Sequence, residues 1–140
     1  MDAGQILKQH NLKNTGCRKL IISELLLTNT AMSEHKIKSN LPNLFDRVTF
    51  YRSLKTLEEF KIIHRVILSD ASVKYAISKD SLANVEHPHF HCIKCNEVIC
   101  LEAEVKAPAD LPSGFLFDSA QVLFEGTCPS CKNDNVDYTK

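Results

Sequence analysis

The sequence predicts an α+β chain in two parts: a helical N-terminal module closed by a β-hairpin, residues 1–79, and a small strand-rich C-terminal module stapled by thiolates, residues 80–140. Three observations predict it. Apolar residues recur at helical spacing from Ile6 to Leu57, and two β-rich runs follow around a short polar turn. Two Cys-x-x-Cys pairs, Cys92–Cys95 and Cys128–Cys131, then bracket a further set of short β-rich runs.

In the N-terminal part, Ile6 and Leu7 anchor a short first helix ending near Asn11. After the Thr15-Gly16 break, Leu20, Ile21, Ile22, Leu25, Leu26 and Leu27 give a second helix a wide apolar face. Ser33 is placed to cap a third, short helix carrying Ile37 and Leu41, which stops before Pro42. Asp46 caps a fourth, with Val48, Phe50, Tyr51, Leu54 and Leu57 at roughly helical spacing. The runs Ile62–Leu68 and Val73–Ser78 flank Ser69-Asp70-Ala71-Ser72 and read as a hairpin. Helices followed by such a hairpin make a winged helix-turn-helix, whose fourth helix here would enter a DNA major groove.

In the C-terminal part, each two-residue spacer lets one tight turn aim two sulfurs at a common point. Four thiolates from Cys92, Cys95, Cys128 and Cys131 suit a tetrahedral structural zinc. The segment from Asn96 to Thr127 exceeds the ~15–20 residues of a compact zinc finger, so strands must bring the pairs together. A redox dithiol would come singly and open a helix, whereas Gly126 and Pro129 argue for a turn. Phe90–Ile93, Val98–Leu101, Phe115–Phe117 and Gln121–Phe124 read as strand and give a sheet of roughly three strands. Pro108 and Pro112 leave any helix between Glu102 and Gly114 short or absent, and the polar tail Lys132–Lys140 should fray. So small a sheet leaves an edge and an apolar face to cover, which favours a homodimer.

Charge separates the two parts. Residues 1–79 hold 13 Lys and Arg against 7 Asp and Glu, and residues 80–140 hold 4 against 10, so the halves carry +6 and −6. A basic half suits a polyanion. The fourth helix presents Arg47, Thr49, Tyr51, Arg52 and Lys55, with Arg52 able to clamp guanine or phosphate and Tyr51 able to pack on a thymine methyl. Lys13, Arg18 and Lys19 add reach toward phosphates. No apolar run approaches the ~20 residues that span a bilayer, and residues 1–10 lack a signal-peptide core. The expected compartment is therefore the reducing cytoplasm, away from membranes, with Cys17 and Cys100 as single thiols.

A second metal site is foreshadowed by His87, His89 and His91, which alternate and so share one face of a strand. Neutral imidazoles in such an array suit zinc, iron, nickel or copper. The run from Asp46 to Leu54, DRVTFYRSL, resembles the "ATVYRTL" helix of the ferric uptake regulator superfamily. Thr15-Gly16-Cys17-Arg18 is similar to its "T-x-x-R", His87 to Cys95 to its "H-x-H-x-x-C-x-x-C", and Gly126 to Cys131 to its "G-x-C-x-x-C". The motifs stand in family order across almost the whole chain.

The resemblance implies a metal-dependent transcriptional regulator: usually a homodimeric repressor of metal-uptake or stress genes, with an N-terminal winged helix, an α/β dimerisation domain and an AT-rich inverted repeat as operator. It implies His87 and His89 as regulatory ligands for a second divalent metal, whether iron, zinc or manganese, and leaves His91 at a position that is usually apolar. Ala31, Ala76 and Ala120 stand where further family ligands are expected. His35, Cys100, Glu86 and Glu102 are candidate substitutes, Cys100 occupying a place where some relatives carry Asp or Glu. The alternative reading is a peroxide or redox sensor using Cys17, Cys100 or the His-rich metal site. A zinc enzyme would need a general base such as that of H-E-x-x-H, or a nucleophile motif, and neither is present.

Overall fold

Side-chain caps set where the helices begin in the computed structural model, which describes residues 1–78, 87–103 and 110–132. Helix α1 (Ala3–Gln9) opens on a capping box: Gln5 N–H donates to Asp2 and Asp2 N–H donates to Gln5, each at 2.9 Å. Helix α2 (Gly16–Thr28) starts one residue after Thr15, whose hydroxyl accepts from Arg18 N–H, so Gly16 is the first helical residue and not a break. The left-handed Asn29 (φ 51°) ends it. Helices α3 (Glu34–Asn40) and α4 (Arg47–Glu59) begin at Ser33 and Asp46 as expected.

These helices bury Leu7, Ile21, Ile22, Leu25, Ile37, Phe50, Leu54 and Leu57 against Ile63 and Tyr75 of the hairpin. Each such aliphatic side chain contributes about 1.5–3 kcal/mol when fully removed from water. The apolar face of α2 is narrower than its composition suggests: Leu27 is 81% exposed, while Ile21 and Ile22 are fully buried. Strands β2 (Ile63–Ile67) and β3 (Val73–Ile77) form the expected hairpin, with Ile63 opposite Ile77 and His64 opposite Ala76.

A two-residue strand that the sequence did not predict changes the architecture. Strand β1 (Thr30–Ala31), between α2 and α3, pairs with β5 (Val98–Cys100) of the C-terminal half. The resulting sheet has the order β1-β5-β4-β6, where β4 (His89–Cys92) is antiparallel to β5 and parallel to β6 (Leu123–Gly126). Phe115–Phe117, expected as a strand, is irregular instead. The sheet ends in the edge strands β1 and β6, with Phe115–Phe117 outside it and Phe115 and Leu116 66% and 95% exposed. A one-turn helix, α5 (Pro129–Lys132), follows β6. Residues 104–109, in the middle of the stretch where a helix was expected to be short or absent, lie outside the described residues, as does the tail from residue 133.

The halves share a second core. Val66, Leu68 and Ala76 of the hairpin region pack with Ala31, Val98 and Cys100, and Leu123 closes the cluster. Around it, the Gln121 side chain forms one extra rung on the edge of β2: it accepts from Ile67 N–H and donates to Ile67 C=O, both at 2.9 Å. Ser69 donates to Glu125 at 2.9 Å, and the Lys74 ammonium donates to the Asn96 carbonyl at 2.6 Å.

Candidate metal centres and nucleic-acid interface

Strand register assembles the four thiols. Cys92 ends β4, and the turn after it places Cys95, with Asn96 at φ 66° and its N–H donating to Cys92 C=O at 2.8 Å. In the parallel pairing of β4 with β6, Cys92 stands opposite Gly126, so Cys128, two residues on, arrives beside it. A Cβ at Gly126 would sit 3.1 Å from the Phe90 ring, which is why a side chain fits poorly there. All four sulfurs lie within 4.8 Å of one another, and Cys95 Sγ to Cys128 Sγ is 3.9 Å. A tetrahedral zinc with Zn–S of about 2.3 Å has an edge of about 3.8 Å, so the cluster fits a structural zinc.

The thiols titrate as a set. Backbone hydrogen bonds at Cys95 and Cys128 pull Cys92 down to about 6, whereas the hydrogen bond to Cys128, together with burial, pushes Cys131 up to about 12. Cys92 is therefore the first thiolate, anchored by Cys128 N–H at 3.4 Å.

The second cluster joins the two halves. His64 of β2 meets His87 and His89, with ring centroids 5.2 Å from each and 4.3 Å between the latter two. One nitrogen from each lies within 4.8 Å of the others. Nε2 of His64 and both ring nitrogens of His87 and His89 are shielded from solvent. Burial first, then the neighbouring His89 and His87, lowers the pKa of His64 to about 3, so its imidazole is neutral at neutral pH, the form that binds metals. His64 Nδ1 lies 3.2 Å from Ser78 Oγ, which orients the ring. Three convergent neutral imidazoles suit a divalent transition metal. A cleft of about 400 Å³ reaches His64 and His89 between Glu58, Arg65, Asp118, Ala120 and Gln121.

His64 was missed in the sequence because a single histidine in a strand run carries no spacing signal. The hairpin register supplies one: His64 stands opposite Ala76, where a further family ligand was expected. Ala31 and Ala76, at two of the vacated ligand positions, fill the shared core instead. Of the other candidates, Cys100 is buried and is the cross-strand partner of His89, but its sulfur is outside the three-histidine cluster. His91 turns to Glu125 (3.2 Å) and Asn96 (2.7 Å) and not to the other histidines. His35 and Glu102 are exposed and outside the cluster, and Glu86 lies outside the described residues. Cys17 and Cys100 are both buried, unlike the exposed thiols that react with oxidants.

On α4, the Asp46 cap holds the first turn, and Thr49 N–H, donating at 2.7 Å, keeps the Asp46 carboxyl below its usual range. Phe50, Ser53, Leu54 and Leu57 face inward. Arg47, Thr49, Tyr51, Arg52 and Lys55 face out, with the Arg47 guanidinium 5.8 Å from the Tyr51 ring centre. Arg18 donates to the Lys13 carbonyl at 3.1 Å and lines a cavity with Thr49 and Arg52, while the Lys13 and Lys19 side chains are exposed. No helix among the described residues is long and apolar enough to cross a membrane.

Comparison with known proteins places these features together. The ferric uptake regulator family matches residues 9–110. The chain is 26% identical to the ferric uptake regulation protein of Campylobacter jejuni over 141 residues, covering 94% of this chain and 87% of that one. Its fold is similar to that of the Vibrio cholerae ferric uptake regulator (TM-score 0.60, 21% identity, 91% of this chain and 100% of that one). It is also similar to a zinc uptake regulator solved with zinc and DNA (TM-score 0.62, 20% identity, 94% and 91%). The matched span runs from the end of α1 through α4, the hairpin and the strands bearing His89, Cys92 and Cys100, and the chain belongs to the ferric uptake regulator family of metal-responsive regulators.

Proposed function

We propose that this protein is a cytoplasmic, homodimeric, metal-dependent repressor that binds an AT-rich inverted repeat and controls metal-uptake or stress genes. One observation carries the metal dependence: His64 on the hairpin and His87 and His89 at the core strand converge from opposite halves of the chain. A divalent metal held by these three rings supplies a cross-link between the halves. His64 fixes the hairpin end of that link, and His87 and His89 fix the core end. In a dimer, the orientation of the hairpin sets the spacing of the two α4 helices, which must match half-sites about one DNA turn apart. Arg52 and Tyr51 then read base edges, while Arg47, Lys55, Lys13, Arg18 and Lys19 hold phosphates. Metal and DNA affinities are reciprocally coupled, typically by about 1–3 kcal/mol. The DNA-bound zinc uptake regulator, which shares the fold, supports the same use of this one.

The test is a triple comparison of parent, His64→Ala and His87→Ala/His89→Ala on a duplex selected from a random pool. Both variants should keep the four-thiolate zinc and the fold but lose metal-stimulated DNA binding. Variants that bind as the parent does, with and without added metal, would overturn the proposal.

A further inference from the structure

The hairpin of β2 and β3 is tied to the rest of the chain along both of its edges, by groups that belong to neither metal cluster. Leu68 N–H donates to Ser72 C=O at 2.9 Å, and the register pairs Ile67 with Val73. Antiparallel alternation therefore turns the N–H and C=O of Ile67 away from β3, toward the outer edge of β2. The same alternation turns those of Tyr75 toward the outer edge of β3. On that edge Met32, which continues β1, donates to Tyr75 C=O at 2.8 Å and accepts from Tyr75 N–H at 2.7 Å. On the β2 edge the partner is a side chain. The Gln121 carboxamide accepts from Ile67 N–H and donates to Ile67 C=O, both at 2.9 Å.

A planar carboxamide carries an acceptor and a donor side by side, as a residue across a β-ladder does. Gln121 stands two residues before β6, and its neighbour is anchored on the core sheet, where His89 N–H donates to Val122 C=O at 3.1 Å. The hairpin tip is held from the same strand by the bond from Ser69 to Glu125, and from the turn between β4 and β5 by the bond from Lys74 to the Asn96 carbonyl. We propose that Gln121 is a positioning residue, a surrogate strand that clamps the hairpin onto the core sheet whether or not a metal bridges His64, His87 and His89. The halves are then docked before the metal binds. On the regulatory reading above, this raises DNA affinity in the metal-free state and narrows the response to metal; the clamp itself does not depend on that reading.

The experiment measures amide hydrogen exchange, residue by residue, on the full-length protein with zinc kept in the four-thiolate site and the inter-half metal stripped. Ile67 N–H should be protected in the parent. Gln121→Glu keeps the shape of the side chain but sets an oxygen against Ile67 C=O, and Gln121→Ala removes both bonds. Each variant should exchange Ile67 N–H on the order of ten-fold faster, as expected for the loss of two hydrogen bonds in contact with solvent. Cys100 N–H donates to Asn29 C=O at 3.3 Å across the same joint, far from Gln121 in sequence, and should also exchange faster. Leu68 N–H, bonded within the hairpin, should keep its rate and so show that the hairpin is intact.

An Ile67 amide that exchanges freely in the metal-stripped parent would overturn the clamp. So would faster exchange confined to Ile67, because a bond that matters only locally leaves Cys100 N–H untouched. DNA affinity of the same samples, with and without added manganese(II) or zinc(II), separates the two levels. The gain on adding metal should be larger in both variants than in the parent. An equal gain in all three proteins, with both amides behaving as expected, sinks the regulatory reading alone. A larger gain with unchanged exchange at Ile67 and Cys100 sinks the clamp alone.

Discussion

Acid should loosen the metal-free protein through one side chain, His64. Its ring is buried between the hairpin and the core, and burial, followed by His89 and His87, lowers its pKa to about 3. In the unfolded chain a histidine titrates near 6.5. Between these values the unfolded chain binds a proton that the folded chain refuses, so stability is fully present above about 6.5 and is lost as the pH falls toward 3. The slope approaches ~1.4 kcal/mol per pH unit within the window, which amounts to about 2 kcal/mol between pH 7 and pH 5. That is a sizeable share of the ~5–15 kcal/mol that holds a typical domain together.

The assay is urea unfolding of parent and His64→Leu at pH 7, 6 and 5. The regulatory metal is stripped and the four-thiolate zinc kept, so that this zinc and every other titrating group are common to both proteins. Leucine roughly preserves the volume and never charges. The parent should lose about 2 kcal/mol more than the variant over this range. Parallel slopes would refute the argument, because they would mean that the folded state accepts the His64 proton as readily as water does.

Three further predictions concern the thiol cluster, helix α4 and Lys13. Cys95→Ser should strip zinc from the C-terminal module, a site contributing on the order of 10–16 kcal/mol; metal analysis that still finds one tight zinc per chain, with native stability, would contradict the assignment. Arg52→Ala and Tyr51→Ala should each weaken binding to the selected duplex by about 1–3 kcal/mol and relax its sequence preference. Lys13→Ala should instead weaken binding to all duplexes alike and reduce the salt slope by about one, and fluorescence anisotropy across a salt series distinguishes the two behaviours.

What the sequence revealed depends on how locally each feature is encoded. Ser33 and Asp46 accept from backbone N–H groups three residues ahead, so their signals are complete within one turn. The thiol pairs were legible because tight spacing and ligand chemistry coincide, even though the strands that unite them were only roughly drawn. Thr30-Ala31 was not legible. Two residues carry no periodicity, and the strand exists only because β5 comes alongside it. Phe115–Phe117 failed for the opposite reason: it has strand composition, but it lies outside the sheet with Phe115 and Leu116 exposed. His64 lay in between. Its strand was recognised, yet its role becomes visible only when the hairpin register sets it opposite Ala76 and the core sheet brings His87 and His89 against it.

The pairing of Thr30 with Ile99 also constrains when the protein can become functional. Synthesis delivers the helices and hairpin first and β5 much later, and contacts distant in sequence form slowly. Until β5 emerges, the rim of β1 and the apolar faces of Val66, Leu68 and Ala76 have nothing to rest on. A chain that stops before β5 therefore keeps the core of its helices and hairpin but leaves Val66, Leu68 and Ala76 uncovered, a surface prone to non-specific association.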